Sequence, residues 1–179
     1  LRADLSASPR QGIDSIDVEL IALPSGEDTD IIWYGWDFNG NGTIDLAGAE
    51  LGTVTNTFGP GFHSVSLSIS NASMESASIL KTDYIHVAPS VIYVSTTGTH
   101  ASPFIDWTTA ATSIHAAVDM ALDTSEIRVG SGIYGITEPV VLDKAVHLRS
   151  VSGPESTIVT RIGSGVFRIA SVVHAGAVL

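Results

Sequence analysis

An acidic, glycine-containing stretch is the most chemically specific feature of the sequence. It runs Asp37-Phe38-Asn39-Gly40-Asn41-Gly42-Thr43-Ile44-Asp45, which places side-chain oxygens at its first, third, fifth and ninth positions and glycine at the sixth. This is the spacing of an EF-hand-type loop, in which alternate residues on a tightly curved backbone point oxygens inward. Ca²⁺ takes about six to eight oxygen ligands. The spacing therefore predicts a calcium-binding loop.

The stretch departs from that pattern at its end, where the twelfth position is Gly48 instead of a bidentate Glu. Two of the side-chain ligands are also neutral, so we expect weak binding, at about 10⁻⁴ to 10⁻³ M as in extracellular modules. The alternative is a glycine-rich hairpin whose Asp and Asn side chains only satisfy backbone groups of the turn. The predicted ligands are the side chains of Asp37, Asn39, Asn41 and Asp45, the carbonyl of Thr43, and Glu50 in place of the missing closing residue.

Residues suited to catalysis are scattered along the sequence. The six histidines have no metal-binding spacing such as i, i+4, which argues against a zinc site. We expect no catalysis in this chain. The charged residues with the best claim to such a role are Glu126, Asp143, Lys144, Arg149 and Arg161.

The charge of the chain is unevenly distributed. The formal net charge is −11, and residues 1–88 carry −9 of it because they hold 12 acidic and 3 basic residues. A field of this sign repels phosphate backbones and anionic lipid, so we expect no nucleic-acid partner. No apolar run approaches the roughly 18 residues that cross a bilayer, so no membrane span is predicted. Cysteine is absent, which excludes disulfides.

Aromatic side chains offer a second kind of binding surface. Trp33, Tyr34 and Trp107 are candidates for stacking on sugar rings, whereas Trp36 is expected in the core. Trp33 and Tyr34 are adjacent in a strand and point to opposite faces, so at most one of them is expected to face outward. These side chains would suit a polysaccharide partner; an extracellular protein is the alternative partner that we expect.

The elements that must position these residues are mainly strands. Short β-type runs separated by turn clusters are predicted at 18–22, 31–38, 54–58, 63–69 and 84–87. Within 63–69, apolar residues alternate with Ser64, Ser66 and Ser68, which predicts one buried and one wetted face. These proportions are typical of an antiparallel sandwich.

Residues 3–88 resemble the PKD (polycystic kidney disease) domain. The resemblance is carried by Ala7-Ser8-Pro9, Ser25-Gly26, Trp36-Asp37-Phe38, Thr57-Phe58, Pro60-Gly61-Phe62 and Asp83-Tyr84-Ile85, in that order. It implies an immunoglobulin-like β-sandwich over 1–88. Such modules usually serve as spacers or adhesive elements in extracellular proteins.

A second unit is predicted over 89–179, after the linker Ala88-Pro89-Ser90. A strand at 92–94 precedes one amphipathic helix, whose apolar residues Ile114, Ala117, Val118, Ala121 and Leu122 recur at helical spacing, with Thr112 or Ser113 as its cap. Short strands follow at 126–129, 140–142, 146–150, 157–160 and 166–169, with Gly132 and Gly135 among the residues that separate them, and an apolar, strand-like tail ends the chain at 172–179.

This second unit resembles the first segment of bacterial right-handed parallel β-helix proteins. The resemblance is carried by Tyr93-Val94-Ser95, Trp107, the helix at 114–122, Ile127-Arg128-Val129, Gly132-Ile133-Tyr134 and the segment 150–157. It implies that the helix caps the first coil. At about 20 to 30 residues per coil the unit holds only about two coils, so the β-helix is expected to be truncated and to carry an open edge that could pair with another copy.

Together these features predict a mainly β chain: an Ig-like, PKD-like sandwich followed by a helix-capped, truncated right-handed parallel β-helix. The chain opens at Leu1 without an initiator Met or a signal peptide, and we expect it to be part of a larger exported protein, located outside the cell or on its surface. The predicted role is structural, adhesive or carbohydrate-associated, and calcium-stabilised. The alternative is an accessory domain plus the first coils of a polysaccharide lyase or esterase.

Overall fold

The computed structural model describes all residues, Leu1–Leu179. The chain is mainly β, with one short helix. It divides into two compact units, Leu1–Val87 and Ala88–Leu179. No helix has the length and apolar character needed to span a membrane.

The first unit contains eight strands in two sheets. They are β1 (Leu5–Ser8), β2 (Gln11–Ile13), β3 (Ile16–Ala22), β4 (Ile31–Asp37), β5 (Leu46–Gly48), β6 (Thr53–Phe58), β7 (Gly61–Asn71) and β8 (Ser76–Ala88). One sheet has the order β1-β3-β6 and the other the order β2-β8-β7-β4-β5. The pairs β1–β3, β3–β6, β4–β5, β4–β7 and β7–β8 are antiparallel.

Apolar side chains from both sheets form the core of the first unit. Trp36 is fully buried, as are Val65, Leu67 and Ile69 on alternate positions of β7, which confirms the period-2 pattern predicted there. The serines between them are half-buried on the opposite face. The rest of this core comprises Ala3, Leu5, Val18, Leu20, Val54, Phe58, Ile85 and Val87.

The second unit contains seven strands and the helix. They are β9 (Val91–Val94), α1 (Ile114–Met120), β10 (Glu126–Val129), β11 (Gly132–Ile136), β12 (Val140–Leu142), β13 (His147–Ser150), β14 (Thr157–Arg161) and β15 (Ala170–Val172). Every strand pair here is parallel: β9–β10, β10–β13, β11–β14 and β12–β15. The strands β10, β11 and β12 therefore each pair with the strand three places later in the chain.

The paired strands are separated by increasing lengths of chain. Glu126 lies beside His147, Gly132 beside Thr157 and Val140 beside Ala170, which are separations of 21, 25 and 30 residues. An isolated parallel bridge joins His147 to Val178, so the chain at Val178 lies beside β13. Each sheet in this unit thus stacks successive passes of the chain in the same direction.

The helix α1 lies against the core of the second unit. It buries Ile114, Ala117, Val118 and Met120, in one cluster with residues of β9, β10 and β12. The predicted extension to Leu122 is wrong, because Ala121 is already in an extended conformation. The predicted side-chain cap is also wrong: Ser113 occupies the N-cap position without a side-chain hydrogen bond. The Thr112 hydroxyl lies 2.9 Å from His100 Nδ1.

Several other sequence predictions need correction. Gly132 and Gly135 lie inside β11 and do not separate strands. The predicted strand at 166–169 is displaced, since β15 begins at Ala170, and the tail forms strand structure only through Val172 and the bridge at Val178. In the first unit, β8 begins eight residues before the predicted start at Tyr84. The strands β1, β2 and β5 were not predicted.

Candidate functional site

The acidic loop lies between β4 and β5 in the first unit. Asp37 is the last residue of β4, and the Asp45 N–H donates to the Trp36 carbonyl at 2.8 Å, so the two ends of the loop meet. Gly40 has a φ of +69°, and a Cβ there would lie 2.7 Å from Ser64 Cβ. Gly42 also has a positive φ, of +86°. Glycine is therefore required for the curvature of the loop and for its approach to β7.

The Asp37 carboxylate organises the first part of the loop. Its Oδ1 accepts the N–H groups of Asn39 and Gly40 at 3.1 and 2.7 Å, and its Oδ2 accepts the N–H of Gly42 at 2.8 Å. Asp37 is only 2% exposed. A buried carboxylate costs free energy unless it is well paired, and three backbone donors supply that pairing here.

The remaining Asp and Asn side chains of the loop also bind the backbone. Asn39 Oδ1 accepts the Asn41 N–H at 3.1 Å, Asn41 Oδ1 accepts the Thr43 N–H at 2.7 Å, and Asp45 Oδ2 accepts the Phe38 N–H at 2.7 Å. These are the contacts of the glycine-rich turn considered above as the alternative to a calcium site. The loop is thus held by its own side chains.

The oxygens that accept a single N–H, Asp37 Oδ2 among them, are compatible with a cation because each keeps a second lone pair, whereas Asp37 Oδ1 already accepts two N–H groups. Asp37, Asn39, Asn41 and Asp45 offer only oxygen donors, the type that Ca²⁺ prefers. Only two of them are charged. Of the other predicted ligands, Thr43 is exposed and its N–H is bonded to Asn41 Oδ1, while Glu50 is exposed in the turn after β5. No group of three or more His, Cys, Asp or Glu side chains is placed to hold a metal ion.

The charged residues considered for catalysis occupy different places in the second unit. Glu126 lies between two guanidinium groups: Arg128 donates through Nε and Nη2 at 3.1 and 3.0 Å, and Arg149 donates through Nε. The bonds from Arg128 and then Arg149 lower the pKa of Glu126 from 4.5 to about 2. A carboxylate so stabilised in its ionised form is a poor general base at neutral pH.

The other candidates do not join this cluster. Lys144 Nζ donates to the carbonyls of Val118 and Ala121 at 3.0 and 2.8 Å, so it stabilises the C-terminal end of α1. The Arg161 guanidinium lies 5.8 Å from the centre of the Phe167 ring. Asp143 follows β12 directly. Sequence reasoning missed Arg128, although its position two residues after Glu126 on a strand indicates that both side chains share a face.

The aromatic candidates differ in exposure. Trp36 is buried, as predicted, while Trp33 and Tyr34 are both partly exposed. Trp107 is 44% exposed and meets the Tyr93 ring edge-on at a centroid distance of 4.7 Å. In the first unit, sequence reasoning missed a further aromatic group, in which Phe62 stacks on His86. The sequence feature that could have indicated this pair is the position of Phe62 and His86 in neighbouring antiparallel strands.

The histidines make separate local contacts. His63 Nε2 lies 2.8 Å from the Gly59 carbonyl, and His115 Nε2 lies 3.1 Å from the Pro139 carbonyl. His174 Nδ1 accepts the Gly176 N–H at 3.0 Å. These contacts fix turns and loop ends.

No protein-family model and no curated protein matches this chain. Its function therefore has to be inferred from its own residues.

Proposed function

We propose that the chain is a non-catalytic structural or adhesive part of a larger extracellular or surface-exposed protein. The first unit is a PKD-like, immunoglobulin-like sandwich, and the second is the helix-capped beginning of a right-handed parallel β-helix. The parallel pairing of each strand from β10 onward with the strand three places later is the observation that carries this proposal. A coil made of three strands produces this pairing when coils stack directly on each other.

The first unit supports a spacer role through its construction. Two antiparallel sheets share one core, and the buried polar groups described above are satisfied by backbone partners. A packed core of this kind suits a spacer, which has to keep its shape.

The second unit supports the β-helix through the position of α1 and the state of its sheet edges. α1 covers apolar side chains that would otherwise be exposed at the end carrying β9. At the opposite edge, β14 and β15 each have one hydrogen-bonded neighbour, and β13 gains only the bridge to Val178. Unpaired strand edges bind further strands readily. We therefore propose that another coil or a second copy of this chain covers this edge.

Disulfide trapping tests the coil register. Ile133 and Ile158 are partners in β11 and β14 and are 67% and 47% exposed. Because the chain has no native cysteine, the pair Ile133→Cys/Ile158→Cys should cross-link rapidly in mild oxidant, as neighbouring strands bring the two Cα atoms within disulfide range. The matched control is Ile133→Cys/Thr160→Cys, two residues out of register. Equal cross-linking of both pairs, measured by thiol labelling and intact mass, would contradict the proposed stacking.

A turnover assay tests the absence of catalysis. The chain is incubated with polygalacturonate and the unsaturated product of a lyase is followed by ultraviolet absorbance. No product should accumulate beyond the buffer control. Sustained product formation that disappears in Glu126→Gln would overturn the proposal in favour of a carbohydrate-active enzyme.

Weak binding of Ca²⁺ by the loop is part of the proposal. The ligands would be the oxygens of Asp37, Asn39, Asn41 and Asp45, with Thr43 and Glu50 completing the shell. A cation that binds only the folded state raises the unfolding midpoint. Melts in millimolar CaCl₂ should therefore exceed those in chelator, and Asp45→Asn should reduce the difference. Equal midpoints for the unaltered chain would contradict this part of the proposal.

A further inference from the structure

The first unit contains a cleft of about 610 Å³, lined by residues from the start of β7, the end of β8 and the segment at the start of β2. A volume of this size is within the range of about 300 to 1,000 Å³ typical of small-molecule sites. Its lining combines rings with planar polar groups: Arg10, Gln11, Phe62, Asp83, Tyr84 and His86. The spacer role proposed above does not require a ligand in this cleft.

Two rings form a flat surface in the cleft. Phe62 and His86 are direct cross-strand partners in β7 and β8, and their rings stack at a centroid distance of 4.1 Å with an angle of 20° between their planes. His86 is 9% exposed, whereas Phe62 is 46% exposed. The buried imidazole thus supports a phenyl ring that presents itself to solvent.

An irregularity in the β7–β8 pairing shapes the polar side of the cleft. The register shifts between His63 and Val65, and opposite this shift Asp83 has a φ of +48°. The Asp83 N–H donates to Ser64 Oγ at 3.0 Å, which holds the irregular backbone in place. Asp adopts positive φ more readily than most non-glycine residues, and the irregular segment brings Asp83 to the lining of the cleft.

Two cationic side chains, Lys81 and Arg10, lie beside the Tyr84 ring and differ in their other contacts. Lys81 Nζ forms an ion pair with Asp4 at 2.8 Å and donates to the Leu5 carbonyl at 2.6 Å. Arg10 lies 5.2 Å from the centre of the Tyr84 ring. The Arg10 guanidinium thus lies beside the Tyr84 ring and contributes to the lining of the cleft.

We propose that this cleft binds a neutral saccharide. The phenyl face of Phe62 suits the apolar C–H face of a sugar ring, since the centre of an aromatic face is electron-rich. Arg10 supplies only donors, Asp83 only acceptors and Gln11 both, which matches hydroxyl groups that donate and accept. The formal charges of Arg10 and Asp83 cancel, and residues 1–88 carry −9 overall. An anionic ligand is therefore disfavoured relative to a neutral one.

Affinity electrophoresis of the whole chain tests this proposal. The chain is run in native gels containing galactomannan, mixed-linkage β-glucan, polygalacturonate or no polysaccharide. Migration should be retarded in at least one of the two neutral gels and unaffected by polygalacturonate. Phe62→Ala should weaken the retardation at least tenfold in apparent Kd, while Phe62→Tyr should retain it because the ring remains. The matched control is Ile32→Ala, an exposed apolar residue on β4 of the same sheet.

Arg10→Gln provides a second variant, because Arg10 is exposed and its replacement leaves the core intact. It should weaken retardation without lowering the thermal midpoint of the first unit. The proposal fails if neither neutral polysaccharide retards the chain, or if Phe62→Ala and Arg10→Gln both bind like the unaltered chain. Stronger retardation by polygalacturonate would also overturn it. None of these outcomes bears on the coil register, so the proposal can fail while the β-helix survives.

Discussion

The Trp36 indole N–H donates to the Leu51 carbonyl at 2.8 Å, which joins the end of β4 to the chain after β5. Trp36 is also fully buried among residues from both sheets of the first unit. One side chain therefore fills the core and closes the segment that contains the acidic loop.

Trp36→Phe should destabilise the first unit because it removes this donor and leaves a partial cavity. A fully buried carbonyl without its partner costs about 1 to 3 kcal/mol; the Leu51 carbonyl is only partly buried, so with the cavity we expect a loss of about 2 kcal/mol. Urea unfolding followed by far-ultraviolet circular dichroism measures it. Trp107→Phe is the matched control and should change stability by less than about 0.5 kcal/mol, as expected for an exposed site. Equal effects of the two variants would refute the role given to Trp36.

Asp37→Ala should be more disruptive than Asp45→Ala. The first change removes the acceptor of three backbone N–H groups from a buried site, whereas the second removes the acceptor of one at an exposed site. Hydrogen bonds to charged groups contribute about 1.5 to 3 kcal/mol each and are not additive. We expect a loss of about 3 kcal/mol for Asp37→Ala and about 1 kcal/mol for Asp45→Ala in chelator-containing buffer. The reverse order would show that the loop is organised differently.

Glu126 should make the stability of the second unit depend on pH. Its pKa is about 2 in the folded chain, below the ordinary 4.5, so the folded state favours the ionised carboxylate. The contribution is fully present above pH 4.5 and is lost as the pH falls towards 2. After allowance for solvent screening of the exposed Arg149, we expect about 1 kcal/mol. Wild type and Glu126→Gln should therefore differ at pH 7 and converge near pH 2.

The control for this titration is Glu155→Gln, an exposed residue in the loop before β14. It should match wild type at every pH tested. A difference between wild type and Glu126→Gln that stays constant down to pH 2 would contradict the lowered pKa of Glu126.

Gly98→Ala should destabilise the second unit by steric overlap. A Cβ at this position would overlap the Ala110 carbonyl oxygen and lie 2.9 Å from Ala110 Cβ. Since backbone has to move, we expect a cost of about 1 to 3 kcal/mol. Gly165→Ala is the control, because its added Cβ meets only Phe167 at ordinary contact distances. Thermal melts of both variants measure the difference in unfolding midpoint, and equal midpoints would contradict this packing.

The strands that the sequence predicts best are those with strong alternation. The serines of β7 separate fully buried apolar residues, so period 2 is unambiguous there. The segments β1 and β2 are short, and β5 reads Leu-Ala-Gly, so none of them carries enough pattern to be recognised. The first half of β8 was missed because the adjacent apolar residues Ile79 and Leu80, of which Leu80 is exposed, interrupt the alternation. Pairing, not local preference, makes these segments strands.

The acidic loop shows how far the spacing of residues in a sequence can predict a functional site. Its spacing identifies which residues project oxygens inward, and four of them do face the backbone of the loop. Spacing cannot separate a turn from a cation site, since both use the same inward oxygens. The Phe62–His86 stack and the Glu126–Arg149 contact depend on register between strands. Such contacts follow from the three-dimensional pairing, which no linear motif encodes.

The parallel stacking of strands leaves β10 as the strand of the second unit with a neighbouring strand on each side, and hydrogen exchange should distinguish it. β10 is hydrogen-bonded on both sides, by β9 and β13, whereas β14 and β15 are bonded on one side. Backbone amides on the unpaired side of a strand can exchange with solvent without any opening of the structure. Deuterium uptake should therefore be slower in β10 than in β14 or β15.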